Sequence, residues 1–98
     1  MKGMHMGTEL TYQERLIRFE IAQDIIGLLM AHCTHRIHEE QKKDAPDAGK
    51  IAEWHAEFDR LVDEQYELRL VDDSEIARVL ADYGPLVKAR YEMASSGD

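Results

Sequence analysis

From Tyr12 to about Lys43 the chain contains no proline and a single glycine, Gly27, among strong helix formers. Thr11-Tyr-Gln-Glu14 opens this stretch with the pattern of a capping box, a Thr hydroxyl for the amide three residues on and a Glu to reach back. One helix over about 11–43 is expected. At 1.5 Å per residue it would be about 50 Å long, more than the diameter of a compact domain of this size.

Its apolar face is as constraining as its length. With Phe19, Ile26 and Cys33 at the centre of a helical wheel, Ala22 and Leu29 flank one side. Leu16, Met30 and Ile37 flank the other, and Ile21, Ile25 and Leu28 carry the arc further round. The sector spans roughly 200°, about twice the stripe of an ordinary surface helix. One neighbouring helix cannot cover it. Either later helices fold back over the second flank or a second copy of the chain does so. The expectation is a homodimer with antiparallel helices, its two-fold axis near Gly27 and Ile21, Ile25, Leu28 and Leu29 in the interface.

The rest of the chain also reads as helical. Pro46 cannot continue the first helix but suits the first turn of a second, over about 46–71, with Asp44 as the expected cap. Ile51, Trp54, Phe58, Leu61, Val62 and Leu68 recur at intervals of three and four. Asp72-Asp-Ser-Glu75 starts a third helix over about 74–83, and Gly84-Pro85 is expected to end it before a last helix over about 85–94. No segment alternates as a strand would. The fold class is therefore all-α: a long antiparallel helical hairpin followed by two short helices, a small bundle completed by homodimerisation. A single helical domain over 11–95 is expected between a disordered tail (1–10) and a short end (96–98).

With 98 residues the chain has room for one such domain and not for a conventional two-domain enzyme. Its longest apolar run, Ile25 to Ala31, falls far short of the roughly 18 residues of a membrane span. The lone Cys33 forms no internal disulfide, and the first residues lack the apolar core of a secretory signal. A reducing cytoplasm is the expected location.

The formal net charge is -8, and it is unevenly spread. Glu53 to Asp82 contains ten carboxylates against Arg60, Arg69 and Arg78, a net of -7. Such a field repels phosphate backbones and acidic membranes and favours a basic protein surface. Within the second helix Glu53 with Glu57, Asp59 with Asp63, and Asp63 with Glu67 are like-charge i,i+4 pairs, each costing roughly 0.2–0.5 kcal/mol in an isolated helix. A helix shaped by stability alone would alternate the signs. Glu53, Glu57, Asp59, Asp63, Glu64 and Glu67 are accordingly the expected partner-binding residues, with Tyr66 as an apolar anchor.

Two other constellations bear chemistry. His32-Cys33-Thr34-His35-Arg36-Ile37-His38-Glu39 gathers metal donors, and His35, Glu39 and, across the hairpin, His55 are the candidate ligands. The wheel points Cys33 inward and His35 outward, so no metal or other cofactor is expected. For nucleophilic chemistry, His32 is adjacent to Cys33 and splayed from it, and no catalytic residue is assigned. Glu64-Gln-Tyr-Glu67 is a lone carboxylate pair, and no glycine loop cradles phosphate. Ser74 to Leu80 and Leu86 to Tyr91, joined at Gly84-Pro85, loosely resemble a helix-turn-helix core through Ala77, Leu80 and Val87. Only Lys88 and Arg90 would face DNA, and direct nucleic-acid binding is not expected.

The sequence thus predicts a non-catalytic, acidic interaction protein that binds and modulates or inhibits a basic, nucleic-acid-handling protein. Immunity proteins, antitoxins and phage-encoded inhibitors work in this way by class analogy. The alternatives are a helix-turn-helix regulator and a metal-binding protein using the His32 to Glu39 cluster.

Overall fold

A computed structural model describes the backbone of residues 10–96 and the side chains of residues 10–92. The expected tail over 1–10, apart from Leu10, and residues 97–98 lie outside the described residues. Three helices make up the described fold: α1 (Tyr12–Gln41), α2 (Ala48–Glu67) and α3 (Asp73–Ser96), with no strand among the described residues. None of them is long and apolar enough to cross a membrane.

The start of α1 follows the sequence. Thr11 Oγ1 accepts from the Glu14 amide at 3.1 Å, and Glu14 Oε1 accepts from the Thr11 amide at 2.9 Å. The start of α2 does not. Its cap is Asp47, whose Oδ1 accepts from the Gly49 and Lys50 amides, rather than Asp44, and Pro46 lies two residues before the helix. The cause is Glu40, a buried carboxylate near the end of α1 that accepts from the Asp47 amide at 2.9 Å and pairs with Lys43. This bond fixes where the linker ends. The Asp47 amide, followed by Lys43, holds the Glu40 carboxyl below its ordinary range.

At its other end α2 stops at Glu67, short of the expected residue 71. Leu68 adopts extended backbone (φ -66°, ψ 132°) and drops its side chain into the core. A turn closed by the Asp72 amide donating to the Arg69 carbonyl follows, and Asp72 Oδ1 caps α3 through the Glu75 amide.

The expected break at Gly84-Pro85 is absent: α3 runs through Pro85 as one helix, so the two short helices are a single long one. Proline in a helix interior forfeits one hydrogen bond and crowds the carbonyl four residues back. Packing on both sides of it outweighs that cost, since Val79, Leu80 and Tyr83 before it and Leu86 and Val87 after it all pack on the same core. Gly84 relieves the crowding that a side chain before proline would add. A Cβ there would lie 3.9 Å from Ile25 Cδ1.

The core joins Ala22, Ile26, Leu29 and Cys33 of α1 to Leu61 of α2, Leu68 of the turn, and Ile76 and Val79 of α3. α1 packs against both other helices, whereas no Cα of α2 comes within 8 Å of one in α3. The wide apolar sector is covered from two sides, α3 taking the second flank. This corrects part of the expected dimer surface: Leu29 is 1% exposed and Ile25 packs against the core, so both are used inside the chain. Ile17, Ile21 and Leu28 remain 55%, 45% and 43% exposed on the reverse of α1.

The two leucines, adjacent in sequence, therefore separate core from surface. Leu29→Ala should lower the unfolding free energy by about 2–4 kcal/mol and Leu28→Ala by less than about 1 kcal/mol in urea titrations followed by circular dichroism. Equal losses would contradict this packing.

Candidate functional site

Seven residues of α2 were expected to form one partner-binding face, and the structure divides them. Glu57 and Glu64 turn inward toward α3. Glu57 Oε2 accepts from Arg90 Nη1 at 3.1 Å. Glu64 accepts from Tyr83 Oη at 2.8 and 2.9 Å, from Arg60 Nη1 at 2.9 Å and from Arg78 Nη2 at 3.1 Å. Arg78 is held in turn by Glu75 at 2.6 Å, and its guanidinium lies over the Tyr83 ring.

These side chains bridge the two helices whose backbones do not meet. Partial burial works against the charge of Glu64, but the hydrogen bonds from Tyr83, Arg78 and Arg60 prevail and hold its carboxyl below the ordinary range. Arg78 is held firmly cationic, chiefly by its bond to Glu75. The expected break in α3 placed Arg90, the partner of Glu57, in a separate helix, whereas Arg78 and Tyr83 reach Glu64 only through the packing of α3 beside α2. Once 73–96 is one helix, Tyr83 and Arg90, seven residues apart, share its inner side with Leu86.

Glu53, Asp59, Asp63 and Glu67 remain exposed, and among the described residues none of them forms an ion pair. Asp59, Asp63 and Glu67 stand one turn apart along the outer side of α2. Tyr66 beside them is 89% exposed. It lines a shallow groove with Gln23, Asp24, Val62 and Gln65, in which Gln65 Nε2 donates to the Gln23 carbonyl at 3.0 Å. Asp24 of α1 thus joins the face, a residue that only the pairing of α1 with α2 could add.

A different cluster surrounds Trp54. The Arg36 and Arg90 guanidinium carbons lie 5.6 and 5.5 Å from its ring centroid. His32 meets the ring edge-on at 5.6 Å and lies 6.4 Å from the ring of Tyr91, whose hydroxyl donates to the Leu28 carbonyl. Burial and then the charges of Arg90, Arg36 and His35 push the His32 imidazole below its ordinary value. Beneath it, burial first and Glu57 second push the Cys33 thiol up to about 11, which keeps it protonated and weakly nucleophilic at neutral pH.

The metal candidates do not assemble. His35 and Glu39 are exposed on α1, while His55 shares a groove of about 270 Å³ with His38, Thr34, Ile37, Gln41 and Phe58. No three His, Cys, Asp or Glu side chains among the described residues are grouped to hold an ion. The helix-turn-helix pattern also fails, because its two segments belong to one continuous helix with no turn between them.

Comparison of the chain with protein-family models, with curated proteins and with solved structures finds no match.

The Glu64 network makes stability depend on pH in a defined direction. A depressed carboxylate stabilises the fold above its unfolded value, about 4.3, and loses that contribution as pH falls through the lower folded value. Glu64→Gln should cost about 1–3 kcal/mol at neutral pH, and the gap from wild type should close as urea midpoints are followed down to about pH 3. A gap that persists in acid would rule out a charge-based role.

Proposed function

We propose that this protein is a non-catalytic interaction protein that uses the outer face of α2 to bind and modulate or inhibit a basic protein partner. The observation that supports this most is the division of the acidic residues. Two carboxylates of α2 are bound by arginines inside the fold, while Glu53, Asp59, Asp63 and Glu67 carry their charge outward with no ion pair among the described residues. Exposed like charges along one helix cost stability and return nothing to the fold itself. They strengthen a negative field that speeds encounter with lysine and arginine surfaces.

Tyr66 supplies the apolar contact that charges alone lack. A large aromatic left 89% exposed beside a groove has the character of an interface anchor, surrounded by a charged rim. The partner we infer is a nucleic-acid-handling protein, since surfaces that bind phosphate backbones carry the required cations. In this reading α1 and α2 form a rigid helical hairpin that presents the face, within a cytoplasmic protein. A homodimer formed through Ile17, Ile21 and Leu28 on the reverse of α1 would leave the α2 face open.

Capture of the basic partner from host extract should be lost when Asp59, Asp63 and Glu67 are all changed to lysine. It should also weaken steeply as salt rises from about 0.05 to 0.2 M. Capture indifferent to both changes would refute this face. Light scattering of the purified protein should report twice the 11.3 kDa chain mass, and Leu28→Glu should return it to one. A wild-type monomer at micromolar concentration would remove the dimer from the proposal.

A further inference from the structure

The cationic cluster around Trp54 has no place in an acidic partner-binding face, and it is built from all three helices. His32 and Arg36 lie four residues apart on α1, where side chains are neighbours about 5–6 Å apart at Cβ. Both meet the ring of Trp54 from α2, and Arg90 of α3 meets the same ring. One carboxylate, Glu57, enters the cluster, and it is engaged by Arg90. Arg36 is exposed and forms no ion pair among the described residues.

We propose that His32, Arg36 and Arg90, held around Trp54, form a binding site for a phosphate-class oxyanion. A guanidinium lying over an aromatic face keeps the N–H groups at its edge free, and those donors match the oxygens of a tetrahedral anion. Among the described residues Arg36 provides this edge with no carboxylate paired to it. His32 adds a second donor from the same side of α1, and the N–H groups of Arg90 not used by Glu57 add more. A dianion fits better than a carboxylate, because it balances Arg36 together with a protonated His32. Free phosphate and a phosphate monoester offer the same oxygens.

The charge balance gives the site a pH signature. The groups facing His32 are Arg36 and His35 from α1, Glu57 from α2, and Arg90 and Tyr91 from α3. The cations among them, with burial, disfavour the imidazolium in the empty site. A bound anion reverses that bias, so binding takes up a proton and tightens as pH falls.

Trp54 is the only tryptophan of the chain and reports on the site directly. Its fluorescence should change saturably when inorganic phosphate or methyl phosphate is titrated at constant ionic strength. Response to inorganic phosphate alone assigns the free ion, and an equal response to methyl phosphate assigns a monoester. Arg36→Gln should weaken binding about tenfold or more with helicity unchanged by circular dichroism. Sulfate, whose charge does not vary over this range, should bind several-fold tighter at about pH 6 than at about pH 8, and His32→Gln should flatten that dependence. The wild-type Trp54 indole N–H resonance provides a measurement independent of any variant. A non-saturating titration by both probes, or equal binding by a folded Arg36→Gln variant, would overturn the proposal.

Discussion

The structure depends on one mismatch: α1 exposes more apolar surface than a single helix can cover. Ile26 and Cys33 stand at the middle of that surface and are wholly buried because α2 and α3 close on them from either side. Everything else follows from serving one helix with two. The Asp47 cap and the Glu40 bond set where α2 begins, and the extended Leu68 turns the chain back so that α3 reaches the second flank. The cost is that α2 and α3 are held apart at the backbone. Side chains long enough to span the gap are then required, and the arginines and Tyr83 of the Glu64 and Glu57 bridges meet that need.

Those bridges also explain how a chain with so many carboxylates stays folded. Glu64 and Arg78 are only partly exposed, so their attraction is screened less than that of a surface pair. Exposed pairs such as Lys42 with Glu39 add little by comparison. The fold satisfies the carboxylates that face inward and leaves the outward ones as surface field. Sign and position along α2 thus carry two different roles within one helix.

Much of the fold was legible because it rests on local chemistry. The Thr11 to Glu14 box, the Asp72 cap and the three-and-four spacing of α2 are read within a few residues of where they act. The errors arose where tertiary packing overrode a local rule. Pro85 breaks a helix only when nothing beyond it is anchored, and Leu86 and Val87 are anchored. Asp44 caps as well as Asp47 in isolation, and only the reach of Glu40 selects between them. The acidic face was legible as composition, since charge is additive along a sequence. Which carboxylates are internal was not, because Arg78, Tyr83 and Arg90 come beside Glu64 and Glu57 only when α3 packs on the second flank of α1. Trp54 illustrates the same limit: sequence spacing marks it as a core residue, while its arginine and histidine neighbours come from α1 and α3.

Placing both charged features on one scaffold has a physical consequence. The ridge of Asp59, Asp63 and Glu67 and the cluster of His32, Arg36 and Arg90 belong to different sides of the structure, so the molecule is polarised as well as acidic. A uniform charge would attract a basic partner in any orientation. A polarised one would orient the encounter, because a basic partner would be drawn to the α2 ridge and repelled from the Trp54 side. Occupation of the Trp54 cluster by an anion would weaken that repulsion and make the field more uniform. On the two proposals together, the sites would be coupled through the field of the whole protein without any change of backbone, and salt that screens one interaction would also erase the orientation it provides.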